Sequence, residues 1–192
     1  IVGETTDTGG VSENNFCIWD EGTVDNFVLK LKFRLHSGNS GVQYRSTRTG
    51  EYKVKGYQAE VSKTPGDVGE LYHERGRGKL ARVGEFVHIN TDGDINAVDT
   101  VADPEWLGEE GYYRDGGWND YTIIARNNHI VHYLNGYLTV EVIDDFEDRV
   151  GEGLVALQVH AGKPMKVEFK DIRLKDLPEN YGSARRIFNG KD

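Results

Sequence analysis

The sequence predicts an all-β protein, a two-sheet antiparallel sandwich of jelly-roll type. Three observations carry this. Apolar residues recur with period two in many short runs. Clusters rich in Gly, Asn, Asp and Ser punctuate those runs. Finally, no segment longer than two turns shows the 3.6-residue period of an amphipathic helix. Many short strands joined by Gly-rich turns close into a sandwich or barrel.

The runs follow in chain order. In Phe27–Leu35, the residues Phe27, Leu29, Leu31, Phe33 and Leu35 alternate with Val28, Lys30, Lys32 and Arg34, the mark of a strand with one apolar and one wet face. The turn Ser37-Gly38-Asn39-Ser40-Gly41 leads to a strand over Gly41–Arg45, and a further strand follows over Tyr52–Ser62. Turns at Thr64–Asp67 and Thr91–Asp94 flank one strand over Leu80–Ile89. Tyr121, Ile123 and Ala125 restore the alternation after Asp115-Gly116-Gly117. Residues His129–Val142 form a hairpin about Asn135-Gly136, a pair that tolerates the positive φ of a tight primed turn. Strands over Leu154–His160 and Met165–Phe169 complete the domain. The polar stretch 178–192 has neither period and is expected to be a linker or tail.

Composition bounds the function. With 32 acidic and 23 basic residues the formal charge is −9, and no basic run exists to neutralise nucleic-acid phosphates. No stretch approaches the roughly 20 apolar residues of a membrane-crossing helix. The single Cys17 excludes an intrachain disulfide and a cysteine-rich metal site. The chain opens at Ile1 rather than Met and reads as a mature or excised piece, so a missing signal peptide carries no information.

Three strands carry large polar residues at alternating positions: Gln43 with Arg45, Gln58 with Glu60, and Gln158 with His160. An ordinary solvated face would be rich in Lys, Glu and Thr. Donors, acceptors and one group that titrates near neutrality form instead a polar floor suited to a hydroxyl-covered ligand, if the strands are neighbours. Each pair alone reads equally well as solvent-facing. Trp106, Tyr112, Tyr113 and Trp118, beside a Gly- and acid-rich loop, are the candidates for an aromatic rim.

Other motifs are weaker. The basic loop Glu74–Lys79 fits an anion holder or a shield over an active site, and equally well a solvated turn. Asp92-Gly93-Asp94-Ile95-Asn96 begins like a calcium loop, with Asp103 twelfth, but has Ala97 where the loop needs Gly. Calcium is thus weakly supported, and no cofactor is expected. Asp144, Asp145, Glu147 and Asp148 read as a solvated acidic turn. None of the six histidines sits in a tight metal motif.

These residues together resemble the 3-keto-disaccharide hydrolase domain family. Asp25–Arg45 (DNFVLKLKFRLHSGNSGVQYR) is similar to its hallmark strand pair. Gly56–Glu60, Gly69–Gly78, Trp118–Ala125, His129–Val140 and Leu157–Leu174 match in the same order, covering residues 1–177. The resemblance implies a concanavalin A-like sandwich and a location outside the cytoplasm. The family's usual opening segment, of the form LFNGKDL, is absent before Ile1, whereas Arg186–Asp192 (RIFNGKD) resembles it. Either a second similar domain begins there or the order is permuted, and the tandem is the simpler expectation. Many members carry Glu before Gln in the strand where this chain has Gln58 then Glu60.

The resemblance also implies a chemistry: the glycosidic bond of a 3-keto-glycoside is cleaved by removal of the C2 proton, elimination at C1 and addition of water. On that reading Glu60 and His160 are base and acid in either order, with His132 a further acid–base candidate. Arg45 would face the developing enolate, a role for a permanent cation. Asn39, Ser40, Gln43, Gln58, Gln158 and Trp118 would bind the sugar. Classical hydrolysis needs two carboxylates roughly 5–10 Å apart, and Glu141-Val142-Ile143-Asp144 lacks the alternating acids of sandwich glucanases. A non-catalytic carbohydrate-binding module is the alternative, and a scaffolding domain is a third.

Overall fold

A computed structural model describes residues 1–6, 10–64 and 66–178, and it forms two packed sheets. In chain order the strands are β1 (Val2–Glu4), β2 (Asn15–Val24), β3 (Phe27–Ser37), β4 (Asn39–Gly50), β5 (Lys53–Ser62), β6 (Leu71–Glu74) and β7 (Gly78–Ala81). They continue as β8 (Glu85–Ile89), β9 (Ile95–Thr100), β10 (Asn119–Arg126), β11 (His129–Leu134), β12 (Tyr137–Asp144), β13 (Gly153–Val159) and β14 (Lys166–Asp176), with one short helix, α1 (Pro104–Glu109). The first sheet runs β1-β14-β3-β10-β11-β12-β8-β9 and the second β2-β13-β4-β5-β6-β7. Pairing is antiparallel throughout except between β12 and β8.

The core lies between the sheets because the period-two residues of both point at each other. Phe27, Leu29, Leu31, Phe33 and Leu35 of β3 meet Val42 and Tyr44 of β4 and Tyr57, Ala59 and Val61 of β5, all at most 2% exposed. Burying such side chains stabilises by about 1.5–3 kcal/mol each. The other face of β4 and β5 then turns away from the core, and Gln43, Gln58 and Glu60 lie on it.

Two sequence expectations, Leu80–Ile89 as one strand and Asp144 as solvated, need revision, and two motifs left open find their place. Leu80–Ile89 is two strands in different sheets, broken at Gly84, whose φ of +92° lets the chain cross over. Glu74–Lys79 is the turn of the β6–β7 hairpin. There Arg75 pairs with Glu13, Arg77 with Asp144 and Lys79 with Glu70. Asp92–Asn96 spans the turn into β9, where the Asn90 carbonyl oxygen Oδ1 accepts from the amides of Asp92 and Asp94. Asp103 instead caps α1, accepting from the amides of Glu105 and Trp106. Asp144 is not solvated: it is fully buried under the Arg77 guanidinium and the Tyr57 hydroxyl. The expected tail, apart from Pro178, lies outside the described residues. Among the described residues no helix is long and apolar enough to cross a membrane.

Candidate functional site

The polar residues of β4, β5 and β13 meet because β13 lies beside β4 and β4 beside β5. Their register places Gln43 opposite Gln58, and Gly41 opposite Glu60. A hydrogen-bonded relay runs from β4 to β5: Ser46 Oγ donates to Gln43 Oε1 (2.7 Å), Gln43 Nε2 to Gln58 Oε1 (2.6 Å), and Gln58 Nε2 to Glu60 Oε2 (2.7 Å). Gly41 makes room for it, since a Cβ there would stand 2.3 Å from Gln58 Cδ. Burial pushes the Glu60 carboxyl above its ordinary range, against the pull of Gln58 and Asn39, which hydrogen-bond its ionised form.

The relay ends in a pocket of about 260 Å³. Asn39, Gln58 and Glu60 line one side, Gln158 and His160 another, and Asp67 and Glu70 of the β5–β6 connection with Tyr72, Glu74 and Lys79 of the β6–β7 hairpin a third, with Asn14 just before β2. The Gln158 side chain is 1% exposed, and neither its Nε2 nor its Oε1 has a partner; the same holds for Asn39 Oδ1. His160 Nδ1 lies 2.7 Å from the Ala161 carbonyl oxygen. A carbonyl only accepts, so that contact puts the ring proton on Nδ1 and leaves Nε2 as an acceptor. A larger crevice of about 480 Å³ opens between the sheets, but its walls are mainly apolar (Trp19, Leu29, Leu31, Leu157, Ile172 and Leu174), with Asp20 and Glu21 at its margin. It lacks the convergent polar groups that orient a hydroxylated ligand.

The structure gathers Asn39, Gln58, Glu60, Gln158 and His160 in the pocket and leaves the other expected residues out of it. Gln43 is buried one step back in the relay. Ser40 ties β4 to β13 by donating to the Gln158 carbonyl (2.7 Å). Arg45 does not share a face with Gln43. Arg45 and Ser46 together oppose Gly56, a β-bulge with Arg45 at φ +46°, and the extra residue reverses the alternation. Ser46 takes the place beside Gln43, while the Arg45 guanidinium donates to the carbonyl oxygens of Asp25 and Asn127 (2.7 Å each).

His132 is a core residue, fully buried with Nε2 2.8 Å from the Tyr44 hydroxyl and edge-on to Tyr44 and Tyr121. Trp118 sits on the other sheet, beneath Arg34 and Lys170. Nor do the other proposed rim aromatics reach the pocket. Tyr112 donates to the Val68 carbonyl, Tyr113 stacks on Phe33 and Trp106 packs against Tyr137. The aromatic that lines it is Tyr72.

The position of His132 has a measurable consequence. Burial pushes its imidazole down to about 4. Between about pH 4 and the ordinary 6.5 the unfolded chain binds a proton that the folded ring refuses, so stability rises with pH across that window. From 6.5 to about 4 the loss on acidification is about 3 kcal/mol for this ring. His73, also pushed down to about 4 by burial, adds in the same direction. Urea unfolding at pH 4 and 6.5 is expected to show this slope, reduced in His132→Phe. An unchanged slope in the variant contradicts it.

Glu70, Tyr72, Glu74 and Lys79 are pocket residues that sequence reasoning missed. The signal was present, since Glu70, Tyr72 and Glu74 alternate with the buried Leu71 and His73.

Known proteins share this architecture. The sequence model of the 3-keto-alpha-glucoside-1,2-lyase-like domain matches residues 2–175. No curated protein matches the chain. Among solved structures, a carbohydrate binding module CBM66 from Bacillus subtilis is 13% identical with a TM-score of 0.56, over 88% of this chain and 85% of that one. A putative glycosyl hydrolase from Parabacteroides distasonis is 19% identical, TM-score 0.56, over 88% and 86%. A protein of unknown function with a galectin-like fold, from Bacillus subtilis, is 14% identical, TM-score 0.56, over 90% and 86%. At these identities the likeness establishes the fold, the expected sandwich.

Proposed function

We propose, because this chain belongs to the 3-keto-alpha-glucoside-1,2-lyase-like domain family, that its polar pocket binds a 3-keto-glycoside and cleaves the glycosidic bond. One observation carries the reading beyond family membership. The Gln158 amide is buried at the pocket wall with both polar atoms unpartnered. Leaving such a group without partners costs about 1–3 kcal/mol, a cost that a ligand dense in hydroxyl and carbonyl groups removes.

The C3 ketone makes the C2 proton acidic. A base takes that proton, the electron pair forms the enolate, and the C1–O bond breaks as the leaving oxygen is protonated. Water then adds at C1 and a proton returns to C2, so the sum is hydrolysis. The hydrogen bonding orders the roles. His160, with Nδ1–H directed at Ala161, presents Nε2 as the base. Glu60, whose carboxyl burial pushes upward, acts as the acid. The Gln158 and Asn39 amides hold the enolate oxygen and the hydroxyls in place of Arg45. A location outside the cytoplasm and a second similar domain starting within 178–192 belong to the same proposal.

The commitment of Arg45 elsewhere favours one second reading, a carbohydrate-binding module without turnover. Incubating the intact chain with a 3-keto-disaccharide and its unoxidised parent separates the two. Release of the leaving sugar from the ketone alone is expected. Binding of both without release supports the module, and release from the unoxidised sugar overturns the keto mechanism.

A further inference from the structure

We infer that the acid of this pocket is a proton-sharing carboxyl pair, Glu60 with Glu70, and that Lys79 positions the second carboxyl. The inference rests on the catalytic reading above and adds two residues to it.

The backbone sets the pair. The β5–β6 ladder ends at Ala59 opposite Leu71, and just beyond it Gly69 and Glu70 together face Glu60: the Glu60 amide donates to the Glu70 carbonyl (3.1 Å) and the Gly69 amide to the Glu60 carbonyl (3.1 Å). Glu60 and Glu70 thus share a backbone hydrogen bond across this bulge, and both line the pocket. Like charges on facing chain segments oppose each other, and the Glu60 charge pushes the Glu70 carboxyl upward. Both residues are largely buried, at 7% and 4% exposure. Two carboxylates in such a place do not both ionise readily, so one proton is held between them.

Lys79 Nζ stands 2.7 Å from Glu70 Oε2 and 3.5 Å from Asp67 Oδ1, an ammonium on one member of the pair only. The charged groups facing Glu70 are Lys79, Asp67 and Glu60, with Glu74 and His160 further round the wall. Burial is the largest influence on Glu70. It outweighs the pull of Lys79 and lifts the carboxyl to about 7, where a carboxylic acid still holds its proton near neutral pH. In the reaction the pair gives its proton to the leaving oxygen as the C1–O bond breaks. It takes one back from the water that adds at C1, while His160 returns its own proton to C2.

The test is the pH profile of kcat/KM on a 3-keto-disaccharide, measured with the intact chain. Activity is expected to fall as pH rises through about 7, the range to which Glu70 is lifted. Glu70→Gln removes the like-charged partner. It is expected to move that limb downward and to cut kcat by about 10²–10⁴-fold. Lys79→Met removes the opposing cation and moves the limb upward, and Lys79→Arg restores it. A merely structural pair would lower activity without moving the limb in opposite directions. NMR titration of the carboxyl carbons, with Glu70→Gln as the assignment control, reads the same group without substrate. Turnover with an unmoved limb in all variants, or a Glu70 carboxyl in the ordinary range, overturns this inference alone. Absence of turnover in the unaltered chain overturns the catalytic reading and this inference with it.

Discussion

Glu60→Gln is expected to lower kcat on a 3-keto-disaccharide by about 10²–10⁴-fold while leaving sugar binding nearly intact. The substitution keeps the shape of the side chain and an oxygen to accept from Gln58 Nε2, the last bond of the relay that begins at Ser46. What it removes is the exchangeable proton. Steady-state kinetics beside calorimetric titration of the sugar separates the two effects. Loss of both binding and turnover would mean that the relay, not the acid, has been disturbed. Full activity would remove Glu60 from the mechanism. His160→Ala is expected to cost a comparable factor through loss of the base, and the two losses together are expected to be less than additive, because base and acid serve one step.

The largest effect on stability is expected far from the pocket. Arg77→Ala should destabilise the chain by about 3–5 kcal/mol, the usual result of breaking a buried ion pair from one side. Asp144 is fully buried on β12 of the first sheet, whereas Arg77 reaches it from the β6–β7 turn of the second, and both guanidinium Nη atoms donate to it. The guanidinium also lies over Phe146, 5.0 Å from the ring centroid. Without it the Asp144 carboxylate keeps only the Tyr57 hydroxyl and its own turn. Urea unfolding measures the change as a lower midpoint at constant slope. The double variant Arg77→Met with Asp144→Leu is expected to recover most of the loss, since no charge then remains unpaired. A loss under 1 kcal/mol in the single variant would show the pair to be dispensable.

Sequence periodicity locates strands where each inward position is apolar and each outward one is not. β3 and β10 meet that condition, so Phe27 to Leu35 and Tyr121 to Ala125 are legible at once. β9 is exposed along its whole length and α1 buries only Leu107, so neither carries a period to detect. The candidate site divides the same way. Gln58, Glu60, Gln158 and His160 were legible because strict alternation holds on β5 and at the end of β13. Arg45 was misplaced because one extra residue reversed the parity of β4, and the bulge falls on an Arg, with no glycine to mark it. Glu70 and Lys79 flank a cation-rich stretch that resembles a solvated turn, and only the Glu70-Leu71-Tyr72-His73-Glu74 alternation separates them from one.

The place of β13 in the second sheet sets when binding competence can arise. This strand, among the last in the chain, inserts between β2 and β4, two of the first. Gln158 and His160 therefore reach Asn39 and Glu60 only after the intervening chain has formed, including β8 to β12 of the other layer. A nascent polypeptide halted before Gly153 has half a binding wall and two unsealed strand edges. Binding of the proposed sugar ligand is thus expected to be a late event of synthesis, and retention on an immobilised ligand would serve as a proofreading signal that the whole sandwich has closed.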